Sequence, residues 1–335
     1  MSELERVALG SSDVLVTRLG LGGAPLGGMF APVSEEQAAA TLECSLAAGI
    51  RFFDTAPLYG HGLSERRIGS AVRSRPRDEF VLATKVGRLL RSPAPPEPGQ
   101  AGIWPGAPAV NPVFDFSSDG VLRSLDESLE RLGVDRVDVV HVHDPDEHYE
   151  EALRGTFPAL ERLRSEGVVG AIGAGMNQAA MLARFAREGD FDCFLVAGRY
   201  TLLDQVALAE LLPLCLERQI SVIAGGVFNS GILADPREGA MFDYAPASRE
   251  RLVRARELQA VCARHGVPLA AAALRFPLGH PAVASVLLGV RSRAELERNL
   301  ELVEHPIPGD LWRELKEEGL LPEQAPTPAG DEVRA

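Results

Sequence analysis

The most constraining feature of the chain is a repeated alternation of a short apolar segment with a helical segment. The apolar segments predict strands at residues 18–22, 51–54, 80–85, 137–143, 168–174, 193–196, 221–224 and 283–288. A helical segment follows each of them, and the first begins with the capping box Ser34-Glu-Glu-Gln37. Several strands are continuous apolar runs, which is typical of parallel sheets covered on their outer face. Eight such units favour an α/β fold closed into a (β/α)8 TIM barrel, with an open doubly wound sheet as the alternative.

The segments outside this pattern predict additions to one barrel and no second domain. Residues 1–17 contain turn residues at 10–13 between two alternating segments, which predicts a β-hairpin at the barrel floor. Residues 88–116 are rich in proline and glycine and predict a long loop after strand three, acting as a lid or pocket wall. Residues 321–335 are expected to form an extended or frayed tail. We therefore expect a single domain over residues 1–335.

Composition narrows the possible partners. The chain has 34 basic and 47 acidic side chains, and its formal net charge of −13 disfavours nucleic acid and anionic membranes. No segment approaches the ~18 consecutive apolar residues of a membrane span, and the first residues are charged, unlike a signal segment. The four scattered cysteines suit reduced core thiols. We expect a cytoplasmic protein whose partner is a small-molecule substrate, and homo-oligomerisation is left open.

Polar residues end three consecutive predicted strands. Only two of the 34 basic residues are lysines, and one of these, Lys85, ends strand three. Asp54 ends strand two, His143 ends strand four, and Tyr59 follows Asp54 in the next loop. Because the C-terminal ends of all strands surround one mouth of a (β/α)8 barrel, these four side chains are predicted to share a site.

These four side chains suit proton transfer coupled to hydride transfer. A hydride delivered to a carbonyl leaves an alkoxide that must gain a proton, and oxidation of an alcohol requires the reverse. An ammonium group about 4 Å from a phenol stabilises the phenolate by ~4 kcal/mol at an effective dielectric constant near 20. Lys85 is therefore predicted to lower the pKa of Tyr59 below its usual value of about 10. Asp54 is predicted to hold Lys85, and His143 to donate a hydrogen bond to the reacting oxygen.

The motifs around these residues resemble those of the aldo-keto reductase family. Asp54-Thr-Ala-Pro-Leu-Tyr59-Gly60, with Ser64-Glu65 and Gly69 after it, is similar to the family signature. Thr84-Lys85 and Val139-Val-His-Val-His143 are similar to the family's lysine and histidine strands. The resemblance covers nearly the whole chain. It implies catalytic roles for Asp54, Tyr59, Lys85 and His143, and a nicotinamide cofactor extended across the barrel mouth.

Cofactor-binding residues are predicted in the loops around this mouth. The glycine-rich segment 20–28, which includes Gly22, is expected to let the cofactor approach the backbone. Asn177 resembles the family's amide that holds the nicotinamide carboxamide, in a segment one residue longer than the common form. The loop 226–233 is expected to offer backbone amides to the pyrophosphate. Its assigned residues are Gly226, Phe228, Ser230 and Gly231.

The chain departs from the family pattern at two positions near the predicted nicotinamide. Many members have Gln on strand six, where this chain has Ala197, and a stacking Tyr after strand seven, where it has Gly225. Phe228 is the predicted substitute for the stacking ring.

The last strand–helix unit bears on the choice between NAD and NADP. Arg291 and Ser292 are predicted to bind adenosine phosphates at the entrance to the last predicted helix. Glu295 stands where phosphate-preferring relatives often carry Arg, and a carboxylate repels a 2′-phosphate but accepts from a 2′-hydroxyl. Asn299 resembles the family's adenine-contacting Asn. We therefore expect NAD as the cofactor, with NADP as the alternative.

A metal site is not expected, although His141 and His143 share one side of a strand. A barrel metal site would need further His or Asp at other strand ends, and His265 and His280 lie in a helix and a loop far from any strand end. His141 is predicted to be an interior residue with satisfied hydrogen bonds.

Four further segments, at 143–146, 197–203, 226–233 and 319–322, resemble a sugar-oxidising branch of the family. This branch contains L-fucose and D-threo-aldose 1-dehydrogenases, with the similar pyridoxal 4-dehydrogenases. The resemblance implies oxidation of a cyclic hemiacetal to a lactone. Arg88, Trp104 and Arg199 are predicted to join His143 in a polar substrate pocket. The expected substrate is an aldose such as L-fucose or a D-threo-aldose. The alternatives are a pyridoxal 4-dehydrogenase, a general aldehyde or ketone reductase, and a non-catalytic cofactor-binding subunit.

Overall fold

The computed structural model describes residues 4–92 and 102–331. Its strands, in chain order, are β1 (Arg6–Ala8), β2 (Leu15–Thr17), β3 (Leu19–Gly22), β4 (Phe52–Asp54), β5 (Val81–Val86), β6 (Arg88–Arg91), β7 (Asn111–Phe114), β8 (Val139–His143), β9 (Ala171–Met176), β10 (Cys193–Ala197), β11 (Ser221–Gly225), β12 (Met241–Phe242), β13 (Ala245–Pro246) and β14 (Val283–Gly289).

Eight of these strands form a closed parallel barrel in the order β3-β4-β5-β8-β9-β10-β11-β14, and β14 closes the ring by pairing with β3. Each predicted strand is present, so the predicted (β/α)8 barrel is confirmed and the open sheet is wrong. Along each strand, alternate side chains point into the barrel or out towards the helices. Phe52, Ala83, Val139 and Ile223 belong to the apolar interior. Because all eight strands run in parallel, their C-terminal ends lie around one mouth.

The helices cover the outer face of the barrel. They are α1 (Glu35–Ala47), α2 (Leu63–Val72), α3 (Ser118–Leu132), α4 (Tyr149–Glu151), α5 (Phe157–Ser165), α6 (Ala179–Glu188), α7 (Leu211–Glu217), α8 (Arg249–Arg264), α9 (Leu269–Arg275), α10 (Arg293–Glu304) and α11 (Gly309–Glu317).

Side-chain caps fix where several helices begin. The Ser34 hydroxyl accepts from the Gln37 amide, and the Gln37 side chain accepts from the Ser34 amide, as the capping box predicts. Ser117, Ser248 and Ser292 cap α3, α8 and α10 in the same way through their hydroxyls. Across the described ranges 4–92 and 102–331, no helix has the length and apolar character needed to cross a membrane.

Three hairpins lie outside the barrel. In the predicted floor hairpin, β1 pairs antiparallel with β2, and Leu9 and Val16 pack into the apolar interior. The predicted loop 88–116 is in part a second hairpin, because β6 pairs antiparallel with β7. Part of that predicted lid, residues 93–101, lies outside the described residues. The third hairpin, β12 with β13, lies in the long connection after β11.

The tail after α11 is irregular and packs against the barrel helices. Leu321 and Ala325 are buried, and the Asp331 amide donates to the Ile307 carbonyl oxygen at 2.9 Å. Arg275 Nη2 pairs with the Asp331 carboxylate at 3.2 Å. The tail is therefore attached up to residue 331, and residues 332–335 of the predicted segment lie outside the described residues.

Candidate active site

A buried ion pair occupies the centre of the barrel mouth. Lys85 Nζ donates to both carboxylate oxygens of Asp54, at 2.8 and 2.7 Å, and to the Thr55 carbonyl oxygen at 2.9 Å. Both side chains are almost fully buried. Adjacent strands β4 and β5 supply the two residues, so the pair follows directly from the strand order. All three donor hydrogens of the ammonium group are used, which fixes its position.

Tyr59 lies over this ion pair. Lys85 Nζ is 4.7 Å from the centroid of the Tyr59 ring. The loop that carries Tyr59 is held by close backbone packing between Gly27 and Gly60. A Cβ on Gly60, whose φ is +61°, would collide with the Gly27 carbonyl group. Because both positions are glycine, the loops after β3 and β4 can come into contact, and this contact fixes the position of Tyr59 over the Asp54–Lys85 pair.

Ser64 and Glu65, which belong to the predicted family signature, form buried hydrogen bonds close to the same region. The Ser64 hydroxyl is 2.8 Å from the Thr55 hydroxyl. The Thr84 hydroxyl donates to the Glu65 carboxylate at 2.8 Å, and Arg131 on α3 forms an ion pair with that carboxylate. These buried hydrogen bonds connect β4 and β5 to α2 and α3.

His143 completes the group at the end of β8. Its ring stands edge-on to the Tyr59 ring, with centroids 5.6 Å apart and an interplanar angle of 89°. Its Nε2 lies 3.4 Å from a carboxylate oxygen of Asp144. The prediction that Asp54, Tyr59, Lys85 and His143 share one mouth therefore agrees with the geometry.

Asp144 is a site residue that the sequence reasoning did not single out. Its φ of +40° is uncommon for a residue other than glycine and turns the side chain back towards the mouth. Arg88 Nη2 lies 3.5 Å from the Asp144 carboxylate. The signal in the sequence was its place directly after the strand-terminal His143.

Arg88, the first residue of β6, is buried between the β6–β7 hairpin and the end of β8. Its Nη1 donates to the His143 carbonyl oxygen at 3.0 Å, and its guanidinium group lies 4.5 Å from the centroid of the Phe114 ring. Only 3% of the residue is exposed. The structure thus gives this predicted substrate contact a second role, because it links the hairpin to the His143 backbone.

The pKa of Tyr59 is shifted in the opposite direction to the prediction. Burial raises the pKa of Tyr59 well above 10; Asp54, Asp144 and Tyr244 raise it further, and Arg88 opposes them. The predicted lowering by Lys85 is therefore wrong for this geometry, because burial has the largest effect on the phenol and the Asp54 carboxylate adds to it. Burial also raises the pKa of Asp54, against the attraction of Lys85. Burial, Arg88, Lys85 and His141 place the pKa of His143 well below 6.5, so its ring is neutral.

His141 lies one layer deeper in the barrel than His143, and its hydrogen bonding differs from the prediction. It is fully buried, and within the described residues neither ring nitrogen has a hydrogen-bond partner. Burial, and then the charge of Lys85, lower the pKa of His141 to about 3. Its ring covers Gly173, where a Cβ would lie 2.5 Å from His141 Nδ1. The expectation of satisfied hydrogen bonds was therefore wrong for this ring. No group of three metal-ligating side chains occurs within ranges 4–92 and 102–331.

Three predicted ligand-contacting residues hold the β12–β13 hairpin. Arg199 Nη2 donates to Asp243 at 2.7 Å, and Asn177 Nδ2 donates to the same carboxylate at 3.4 Å. The Ser230 hydroxyl accepts from the Tyr244 amide at 3.0 Å. Sequence reasoning missed Asp243 and Tyr244, because they lie far along the chain from the end of any predicted barrel strand.

The predicted pyrophosphate loop is sharply turned. Gly226, Asn229, Ser230 and Gly231 all have positive φ angles. Asn229 anchors the loop, since its side chain donates to the Gly198 carbonyl oxygen at 3.0 Å. Phe228 is half-buried and packs against the apolar core.

The predicted adenosine residues lie together at the start of α10. The Arg291 side chain pairs with Glu295 at 3.0 Å, and the Arg291 amide donates to the same carboxylate at 2.9 Å. The Ser292 hydroxyl caps α10 by accepting from the Glu295 amide. Asn299 is buried on the inner face of α10.

Aromatic residues form one wall of the mouth. The rings of Trp104 and Tyr59 lie 5.8 Å apart at an interplanar angle of 31°, and Trp104 is buried. The Phe30 amide donates to the Ile103 carbonyl oxygen at 2.8 Å, which joins the loop after β3 to the segment before β7.

The comparisons with known proteins decide the family. The model described as the aldo/keto reductase family matches residues 18–318. The chain belongs to this family. A pyridoxal 4-dehydrogenase from Microbacterium luteolum is 44% identical over 95% of this chain and 98% of the relative. A D-threo-aldose 1-dehydrogenase from a Pseudomonas species is 43% identical over 96% of this chain and 99% of the relative.

A solved structure shows the same fold for this aldo-keto reductase. The holo form of an aldo-keto reductase from Bacillus halodurans aligns with a TM-score of 0.75 at 24% identity, covering 99% of this chain and 100% of that chain. The predicted family and its enzymatic nature are confirmed, and the non-catalytic subunit is not favoured.

The residues present fit the nicotinamide nucleotide that aldo-keto reductases use. The barrel strands β3 and β11 end in Gly22 and Gly225, so no side chain rises into the mouth at these positions. Gly175 on β9 adds space beside the Lys85 side chain. Asn177 offers an amide at the rim. When bound, the nicotinamide supplies or accepts a hydride.

The residues of the site are predicted to carry out the proton part of the reaction. In oxidation, the Tyr59 phenolate would accept the proton of the substrate hydroxyl, and in reduction the Tyr59 phenol would donate a proton to the new alkoxide. The Asp54–Lys85 ion pair would present fixed charges beneath the ring, and neutral His143 would place a polar group beside the reacting oxygen.

Proposed function

We propose that this aldo-keto reductase oxidises the cyclic hemiacetal of an aldose, such as L-fucose or a D-threo-aldose, to a lactone. The observation that carries the proposal is the pairing, beside Tyr59, of an apolar aromatic wall with polar side chains. Trp104 supplies the wall, and Asp144 supplies a carboxylate that accepts from sugar hydroxyls. The 43% identity with a D-threo-aldose 1-dehydrogenase over nearly both full lengths supports the same substrate class.

NAD is the proposed cofactor, held by the residues predicted for it around the mouth and on α10. Glu295 pairs with Arg291 through both the side chain and the backbone amide. Arg291 thereby has less positive charge to offer a 2′-phosphate, and the carboxylate repels that group. Both effects favour a 2′-hydroxyl. We also propose that the enzyme works in the cytoplasm, in keeping with its reduced cysteines.

A second candidate substrate is pyridoxal, whose 4-aldehyde forms an internal hemiacetal. The 44% identity with a pyridoxal 4-dehydrogenase favours it, and the Tyr59–Trp104 wall suits a flat pyridine ring. The two substrates share the reacting group, so the same four residues serve both.

Steady-state kinetics with L-fucose, D-arabinose, pyridoxal and a panel of simple aldehydes, each with NAD(H) and NADP(H), test the proposal. We expect the highest kcat/KM for an aldose with NAD. A higher kcat/KM for pyridoxal supports the second candidate, and turnover of simple aldehydes alone contradicts both. Glu295→Gln should improve the use of NADP relative to NAD by about tenfold. Glu297→Gln is the matched control, since Glu297 lies two residues further along α10 and pairs with Arg293.

A further inference from the structure

The turn of the β12–β13 hairpin holds two bulky residues in an unusual conformation. Asp243 and Tyr244 have φ angles of +52° and +64°. Two consecutive residues of this kind make the tight turn that usually requires Asn-Gly, because a Cβ crowds the backbone in this region. A tyrosine there is a marked exception. Such strain persists where surrounding contacts enforce it, and it clusters at functional sites.

The contacts that enforce the turn come from three barrel loops. Arg199 after β10 and Asn177 after β9 hold the Asp243 carboxylate, and Ser230 after β11 holds the Tyr244 amide. The guanidinium group of Arg251 lies 4.6 Å from the ring centroid of Phe242, the residue before the turn. The turn is thereby fixed at the rim of the mouth.

The side chain of Tyr244 is directed across this mouth. Its ring centroid is 6.2 Å from that of Phe30, which lies in the loop after β3 on the other side of the barrel. The residue is 44% exposed, and its hydroxyl lies near the Asn177 side chain. The Tyr244 hydroxyl also interacts electrostatically with Tyr59 and Asp144. A second phenol therefore shares the mouth with the reacting one.

We propose that Tyr244 contacts the substrate and determines specificity, its hydroxyl binding a sugar hydroxyl other than the reacting one. The inference rests on the proposed function and deepens it. A phenol both donates and accepts a hydrogen bond, which matches a sugar hydroxyl. The strained turn places it, and Arg199, Asn177 and Ser230 are positioning residues for it.

The first experiment compares L-fucose with its analogues that lack the hydroxyl at C2, C3 or C4. Tyr244→Phe keeps the ring and removes the hydroxyl. We expect kcat/KM for L-fucose to fall about tenfold, and one analogue to be used equally well by the wild type and the variant. Tyr200→Phe is the matched control, because Tyr200 is buried and its hydroxyl has no hydrogen-bond partner within the described residues. Equal losses for all four sugars, or no loss, would overturn the inference.

A binding measurement separates this inference from the proposed function. NADH fluorescence reports cofactor binding, and its change on addition of each sugar reports sugar binding without turnover. If the wild type binds NADH and sugars but oxidises none, the proposed function fails while the Tyr244 inference is still tested. Tyr244→Phe should then weaken L-fucose binding about tenfold and leave NADH binding unchanged. Unchanged sugar affinity in the variant, or no sugar binding by the wild type, overturns the inference.

Discussion

At the scale of single residues, the Asp54–Lys85 pair matters most, because each charge is buried against the other. Lys85→Met leaves a buried carboxylate and Asp54→Asn leaves a buried ammonium group. We expect each single substitution to lower the free energy of unfolding by about 3–5 kcal/mol. The loss of unfolding free energy in the double variant should be smaller than the sum of the losses in the two single variants. All three variants should lose activity. Urea unfolding of the four proteins measures this, and strict additivity would contradict the coupling.

Tyr59 gives a prediction about pH. Because its pKa is raised in the free enzyme, the phenolate that accepts the substrate proton is scarce near neutral pH. We expect kcat/KM for oxidation to rise about tenfold per pH unit from pH 7 to pH 10, and kcat/KM for reduction to stay nearly flat over this range. Tyr59→Phe should lower kcat by ~10²–10⁴ in both directions without weakening NADH binding. A plateau for oxidation beginning below pH 8 would show that the pKa of Tyr59 is lowered in solution.

At the scale of secondary-structure elements, the features that depend on a local sequence pattern could be predicted from the sequence. The eight strands and the Ser34 capping box were visible because apolar runs and turn residues are local signals. Helix α9 was missed, since its alanines are buried on all sides and show no helical period. The β12–β13 turn was missed because contacts from three distant loops enforce it against local preference. The four-residue site was predictable because parallel strands bring their ends together, whereas Asp144 and Tyr244 depend on backbone conformations that no local pattern specifies.

The contact between the loops after β3 and β4 gives the next prediction. An alanine at Gly60 places its Cβ against the Gly27 carbonyl group in a conformation with positive φ. We expect Gly60→Ala to destabilise the fold by about 1–3 kcal/mol and to lower kcat, because Tyr59 moves with the loop. Gly106→Ala is the control, since Gly106 also has a positive φ, of +84°, but has open space around the added Cβ. Equal effects of the two substitutions on stability and kcat would refute the close-contact argument.

At the scale of the whole molecule, the barrel interior combines an apolar lower part with a polar mouth. Leu9, Val16 and Phe52 fill the lower part, and Asp54, Lys85 and His143 lie at the top. His141 lies at the boundary between them. This arrangement keeps water away from the ion pair from below, which strengthens the electrostatic effects on Tyr59. We therefore expect substrate to reach the four residues that the barrel brings together from the mouth.

The boundary histidine makes stability depend on pH. In the unfolded chain an imidazole has a pKa near 6.5, and in the folded protein the pKa of His141 is about 3. Because the pKa of His141 is lower in the folded protein, the unfolded state binds more protons than the folded state once the pH falls below about 6.5. The contribution of neutral His141 is therefore fully present at neutral pH and is lost between about pH 6.5 and pH 3. It amounts to about 2 kcal/mol between pH 7 and pH 5.

Urea unfolding at pH 7 and at pH 5 measures this loss. We expect His141→Asn to be less stable than the wild type at pH 7, because it disturbs the packing over Gly173, but to lose about 2 kcal/mol less on acidification. His305→Asn, at a partly exposed position after α10, is the matched control for the removal of one imidazole and should retain the pH dependence of the wild type. If His141→Asn loses as much stability between pH 7 and pH 5 as the wild type, the buried neutral imidazole of His141 is not the source of the acid sensitivity. Burial also lowers the pKa values of His143 and His280, so these two residues would then be substituted next.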